Sequence, residues 1–178
     1  MACEILHSHR HPLLLVRTKI LENKKHEICV EASCFDFRKR VLFPTDFSDT
    51  SYRAFNYLEE IVKKGCKKAT LIHIQEKASI EKHLEHKLDE FNRIDTERLD
   101  MLKKRLIERG AEDVDVKISY RNPTTEILKE VNRDDYSLIV MGSQGRGLAE
   151  EVFLGSVSCN IARNAPISIL LIPAVRKI

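Results

Sequence analysis

The chain has 178 residues, of which thirty are Lys or Arg and twenty-seven Asp or Glu, giving a formal net charge of +3, and 43% are hydrophobic. That length suits one compact domain with an appendage, the apolar fraction supports a real core, and interspersed charges of both signs leave no single-sign field of the kind nucleic acid or an anionic membrane recognises. Cys3, Cys29, Cys34, Cys66 and Cys159 fall in no CxxC or metal-spaced array, no apolar run approaches the roughly 20 residues of a bilayer span, and Met1 to Arg10 lacks the charged-then-apolar order of a secretion signal, so the expectation is a cytoplasmic protein with reduced thiols.

Residues 1–37 read as an extension. His7, His9 and His11 alternate as metal ligands on a strand could, but surface histidines at a chain end explain them and no metal site is assigned. Leu13 to Val16 forms a short apolar strand that needs a partner, since exposed edges invite aggregation. Residues 18–37 read as a linker whose one candidate element is a short strand over Glu27 to Glu31.

From Arg38 onward, short apolar runs alternate with segments of helical period, the mark of an α/β domain with a parallel sheet. Val41-Leu42-Phe43 ends at Pro44-Thr45-Asp46; Ser48 caps a helix carrying Ala54, Leu58, Ile61 and Val62 on one face, and Gly65 ends it. Ala69 to Ile74 is a second strand. Leu84, Leu88, Phe91, Leu99, Leu102 and Leu106 then recur at helical intervals as far as Gly110. Val114, Val116 and Ile118 alternate with Asp115 and Lys117, as in a half-buried strand near a sheet edge. Asn122 and Pro123 cap and start a short helix through Val131. Leu138 to Met141 forms the fourth strand, a helix from about Ser156 to Arg163 follows, and Ile167 to Ile172 is the last strand.

Right-handed crossovers put five such strands in a doubly wound sheet, and ligands bind at the strands' carboxyl ends where the winding reverses. In the order 3-2-1-4-5, strands one and four flank that reversal. Their ends carry Pro44-Thr45-Asp46 and Met141-Gly142-Ser143-Gln144-Gly145-Arg146-Gly147. Glycines between a buried strand and a helix let backbone approach a ligand, and the helix end offers unpaired N–H groups to an anion. The segment therefore reads as a phosphate cradle. It contains neither GxxxxGK[ST] nor a GxGxxG opening the first helix, which excludes the better-known phosphate loops.

The spacing Gly142-x2-Gly145-x9-Gly155-Ser156 resembles the motif of nucleotide-binding members of the universal stress protein family. Val41 to Ser48, Leu71-Ile72-His73-Ile74, Asn122 to Leu128 and Ala165 to Pro173 extend the resemblance over Arg38 to Pro173. It implies an adenine nucleotide alpha hydrolase-like domain over 38–178, with a five-stranded parallel sheet plus an extra N-terminal strand, and a homodimer through the last strand. It also implies ATP or AMP as the bound nucleotide. Gly142, Ser143, Gly145, Gly155 and Ser156 would contact phosphates, and Pro44, Thr45 and Asp46 would line the ribose and adenine side. Ile74 would flank the base, Met141 and Val157 would complete the apolar wall, and Arg146 would screen the terminal phosphate. Asn122 departs from the family's usual glycine, a change confined to a turn. Pro12 to Arg17 resembles the family's last strand, consistent with a remnant of a preceding tandem domain; a simple added strand is the alternative.

Glu150 and Glu151 either hold Mg²⁺ beside phosphate or form a solvated turn. His73 reads as a packed core histidine, and no residue is assigned a catalytic role. Three functions remain open: a nucleotide-dependent regulatory or stress-response module, a slow ATPase or phosphotransferase using the same site, and a structural dimerisation protein with an empty pocket. Phosphoryl transfer needs metal, a cationic clamp and a positioned nucleophile, and the sequence offers no clear base.

Overall fold

The computed structural model describes residues 11–22, 28–32, 39–75, 88–145 and 154–174. Strands β1 (Leu13–Leu15), β2 (Thr18–Glu22) and β3 (Ile28–Ala32) come first. The alternating part follows as β4 (Arg40–Thr45), α1 (Asp49–Lys63), β5 (Lys68–Ile74), α2 (Leu88–Glu108), β6 (Asp113–Ser119), α3 (Pro123–Val131), β7 (Tyr136–Gly142), α4 (Ser156–Asn164) and β8 (Ser168–Ile172). Among the described residues no helix is long and apolar enough to cross a membrane.

The main sheet has six strands in the order β1-β8-β7-β4-β5-β6. Strands β4 to β8 are mutually parallel, and these five take the order 3-2-1-4-5 considered above. β4 and β7 lie at the centre and are buried on both faces, which is why Val41, Leu42, Phe43, Leu138, Ile139 and Val140 form unbroken apolar runs. β6 is the far edge, and its alternating pattern reflects one covered face.

Helices α1 and α2 cover one face of the sheet, packing Phe55, Leu58, Leu99 and Leu106 onto Val41, Phe43 and Leu71. Helices α3 and α4 cover the other, packing Ile127, Val131 and Ile161 onto Leu42, Ile139 and Ile169. The helix ends follow their punctuation. Ser48 Oγ accepts from the Ser51 amide at 3.2 Å, and Asn122 Oδ1 from the Thr125 amide at 3.1 Å with Pro123 at the first position. Gly65 closes α1 with φ of +113°, a left-handed conformation that a side chain would strain. Of the long helical pattern, α2 begins at Leu88; Leu84 lies outside the described residues.

Two features of the first 37 residues correct or sharpen the sequence reading. Residues 18–32 are not a linker with one strand: β2 pairs antiparallel with β3, from Thr18 opposite Ala32 to Glu22 opposite Ile28, as a separate two-stranded sheet. The second of these strands overlaps the expected one; the first was missed because its Ile20 and Leu21 are adjacent and give no period of two. β1 pairs antiparallel with β8 inside the same chain, Leu13 opposite Leu171 and Leu15 opposite Ile169. Leu13 and Leu15 join the core on the α3 and α4 side.

Arg17 fastens this strand. Its backbone N–H donates to Ser168 Oγ at 3.2 Å, its Nε to the Ala165 carbonyl at 3.0 Å, and its guanidinium also to the Ala162 carbonyl. A cation over the last carbonyls of α4 complements the negative end of the helix. β8 thus has a neighbour on each side, and pairing of last strands between two copies would require β1 to leave. His11 is exposed, while His7 and His9 lie outside the described residues.

On the same face, Glu130 ties α3 to the sheet. It is 4% exposed and accepts from Lys117 Nζ at 2.6 Å and Tyr136 Oη at 2.7 Å. Burial alone would raise its pKa, but these two hydrogen bonds and nearby Lys117 and Arg133 outweigh it and hold the carboxyl below its ordinary value.

Two outcomes follow from these anchors. Arg17→Ala lowers stability by about 1–2 kcal/mol, roughly 2–8 °C in Tm, and deletion of residues 1–17 bares the β8 edge and yields dimers or aggregates in light scattering, where the full chain elutes smaller. Because Glu130 is more acidic folded than unfolded, its contribution is present above the unfolded value of about 4.3 and is lost as pH falls through the folded one. Glu130→Gln lowers Tm at neutral pH and flattens its decline in acid, as read by calorimetry across that range.

Candidate functional site

The carboxyl ends of β4 and β7 open on a crevice of about 670 Å³. Its walls include Pro44, Thr45 and Asp46 from the β4 turn, Ile74 from β5, and Met141, Gly142 and Gly145 from the end of β7. Gly155, Ser156 and Val157 come from the start of α4. Ten of the twelve residues expected at the site are therefore brought together. Arg146 lies outside the described residues, as do Glu150 and Glu151.

Ser143 is the exception within the described chain. It is 1% exposed and does not line the crevice; its N–H donates to the Ile172 carbonyl at 2.8 Å. Its carbonyl accepts from the Gly155 amide at 2.7 Å. Two of the main-chain donors expected to meet phosphate are thus spent inside the protein. Ser143 instead brings the start of α4 beside the end of β7, an effect strengthened by Ser158 Oγ donating to the Gly142 carbonyl at 2.9 Å.

Gly142 also has a reason other than ligand approach. A Cβ there would stand 3.0 Å from Thr50 Cγ2, 3.2 Å from the Thr50 carbonyl carbon and 3.3 Å from the Ser51 nitrogen. Two of those atoms are backbone of the first turn of α1, so the missing side chain lets β7 and α1 close up. At Gly145 a Cβ would meet, among the described residues, the Asp46 carboxylate, with Oδ2 at 2.9 Å and Cγ at 3.9 Å. That glycine brings the loop after β7 against the turn after β4.

Asp46 serves its own turn as well as the crevice. Oδ1 accepts from the Ser48 amide at 3.1 Å and from Ser48 Oγ at 2.6 Å, so the carboxylate holds the capping serine while it lines the crevice. The next residue, Phe47, holds φ of 58°, a left-handed conformation unusual for a bulky side chain. Its amide donates to Thr45 Oγ1 at 3.0 Å and its ring packs 4.6 Å from that of His73. This bend carries the chain from β4 into α1 while leaving Asp46 at the crevice wall.

α4 starts without a side-chain cap: Gly155 is its N-cap residue and contributes no side-chain hydrogen bond. The amides of its first turn, Ser156, Val157 and Ser158, belong to residues that line the crevice. Such an end carries a partial positive charge and suits an anion.

The sequence reading missed the wall formed by β5 and α2. His73, Gln75, Phe91 and Asp95 line it. His73 is buried as expected: Nδ1 donates to the Thr45 carbonyl at 2.7 Å, and Nε2 lies 3.3 Å from Asp95 Oδ2. Asp95 also accepts from Gln75 Nε2 at 2.8 Å. Asp95 lies between the apolar positions Phe91 and Leu99 that mark this helix in the sequence, so only the topology reveals its place. Among the described residues no three His, Cys, Asp or Glu side chains gather as a metal site would need.

Residues 38–173 match the model of the universal stress protein family. The universal stress protein MJ0577 of Methanocaldococcus jannaschii is 26% identical over 153 residues, covering 75% of this chain and 94% of that protein. A putative universal stress protein of Staphylococcus aureus strain USA300 is 27% identical over 141 residues, covering 75% of this chain and 83% of its own. The solved structure of MJ0577 superposes with a TM-score of 0.70 at 26% identity, covering 80% of this chain and all (100%) of that one. A universal stress protein solved in complex with cAMP shares the fold at 22% identity and a TM-score of 0.58, covering 75% of this chain and 95% of its own.

The two glycines separate by their neighbours. Gly142→Ala forces backbone of α1 to move and costs about 1–3 kcal/mol, whereas Gly145→Ala displaces only the end of a side chain and stays within about 0.5 kcal/mol. Chemical denaturation of both variants reads the difference.

Proposed function

This chain belongs to the universal stress protein family, and we propose that its crevice binds an adenine nucleotide, ATP or AMP, as a nucleotide-responsive module in a stress response. The observation that carries this is the pairing of an uncapped α4 amino end with the Asp46 carboxylate across a crevice at the β4–β7 reversal. An anion suits the first, and ribose hydroxyls, which are donors, suit the second. Ile74, Met141, Val157 and Ile127 offer apolar surface for a flat base between them.

The phosphate side of this reading differs from the one the motif suggests. Ser143 and Gly155 amides are already bonded, so the donors are those of Ser156, Val157 and Ser158, with the Ser156 hydroxyl beside them. The same fold holds an adenine nucleotide, cAMP, in another member of the family.

Binding rather than turnover is the proposed activity. The crevice holds two acid–base groups on its β5–α2 wall, His73 and Asp95, and each is hydrogen-bonded or paired to the other, to Thr45 or to Gln75. Those contacts hold both side chains within the wall. Mg²⁺ enters this proposal only as a companion of ATP phosphates.

Calorimetric titration with ATP, ADP and AMP tests the reading. Ser156→Pro removes one first-turn amide at a position where helices accept proline, after a Gly155 already extended at φ −68° and ψ 154°. It weakens nucleotide binding about 10- to 100-fold with Tm little changed, and Ser156→Ala separates the hydroxyl's share. Full affinity in Ser156→Pro, or no binding of any of the three nucleotides to the natural chain, overturns the proposal.

A further inference from the structure

α4 is held at its two ends by different parts of the chain. Its amino end joins β7, where the Gly155 amide donates to the Ser143 carbonyl at 2.7 Å and Ser158 Oγ to the Gly142 carbonyl at 2.9 Å. Its carboxyl end is gripped by Arg17, whose Nε donates to the Ala165 carbonyl at 3.0 Å and whose guanidinium also reaches the Ala162 carbonyl. The helix has nine residues and no side-chain cap at Gly155. A helix of that length forms poorly by its own hydrogen bonds, so what meets its two ends decides how well ordered it is.

The strand that carries Arg17 has little else to hold it. β1 shares three register pairs with β8, and the Arg17 backbone N–H adds a bond to Ser168 Oγ at 3.2 Å. Leu13 and Leu15 are only partly buried against the core, while Leu14 and Val16 are 41% and 47% exposed. An edge strand with so few buried contacts belongs to the low-stability part of a fold and opens without global unfolding. Two arrangements result: β1 docked with Arg17 on α4, and β1 released with the Ala162 and Ala165 carbonyls left to water and the β8 edge bare.

We propose that β1 and Arg17 form a latch linked to the crevice through α4: an anion at the amino end of this helix tightens the docking of β1 on β8, and an empty crevice loosens it. The proposal rests on the reading of the crevice as a nucleotide site. Phosphate complements the positive end of α4 and the Arg17 guanidinium its negative end, so each favours the ordered helix that the other binds. Linkage makes the effect reciprocal, since the factor that the docked strand adds to nucleotide affinity is the factor that nucleotide adds to docking. The surface under this control is the β8 edge, the one that deletion of residues 1–17 bares, and the occupant it suits is the last strand of a second copy of this chain.

Amide hydrogen exchange of the full chain, with and without saturating AMP, tests it. AMP slows exchange over residues 13–17 about two- to fivefold, while β6, the edge strand at the far side of the sheet, keeps its rates. Equal slowing of both edges reports only the general stabilisation that any bound ligand brings, and overturns the latch. Arg17→Ala binds AMP about two- to fivefold more weakly in calorimetric titration, and in this variant AMP no longer slows residues 13–16. Should that variant fail to fold, the exchange rates of the natural chain decide. Unchanged rates at residues 13–17 on adding AMP, or full AMP affinity in Arg17→Ala, overturn the latch and leave the nucleotide site standing. Absence of AMP binding to the natural chain overturns both.

Discussion

The carboxyl end of β7 lies against the first turn of α1 with no room for a methyl group at Gly142, and the crevice depends on that close seat. Because β7 and β4 are adjacent and parallel, bringing β7 onto α1 also brings the loop after β7 onto the turn after β4, where Gly145 meets Asp46. Ser143 then spends both its backbone groups, on Ile172 and Gly155, and so delivers the start of α4 to the same place. The glycine that looks like part of a ligand cradle acts first as a packing device. Ligand binding inherits the geometry.

A second consequence concerns charge. The described part of the crevice wall carries Asp46 and Asp95, and the positive end opposite them is a helix terminus rather than a side chain. Main-chain donors fixed by secondary structure need no reorganisation when an anion arrives, since their direction is set by the helix. The unusual backbone of Phe47 fits the same scheme. A left-handed residue there costs free energy that its contact with His73 and its bond to Thr45 offset, and the return is an Asp46 carboxylate at the edge of the site.

The parallel sheet was legible in the alternation of apolar runs with helical periods, and so were the caps at Ser48, Gly65, Asn122 and Pro123. These signals are local and chemically distinct. Most of the crevice residues were legible too, because the glycine spacing and the Pro44-Thr45-Asp46 turn follow buried strands. What stayed hidden depends on contacts between elements distant in sequence. Ser143 sits inside the motif, yet its burial follows from bonds to Ile172 and Gly155. Asp95 and Gln75 meet only because α2 crosses β5, and β2 shows no alternation, its Ile20 and Leu21 being adjacent. The N-terminal strand was legible as apolar, but its clasp at Arg17 on the end of α4 was not.

Amide hydrogen exchange of residues 156–158, with and without saturating AMP, tests most directly whether the first turn of α4 receives the nucleotide's anionic end. Those amides lack a side-chain cap, so they exchange readily alone and slow markedly with AMP, together with the turn at Asp46. Protection that appears elsewhere while these amides keep their rates would contradict a phosphate resting on α4.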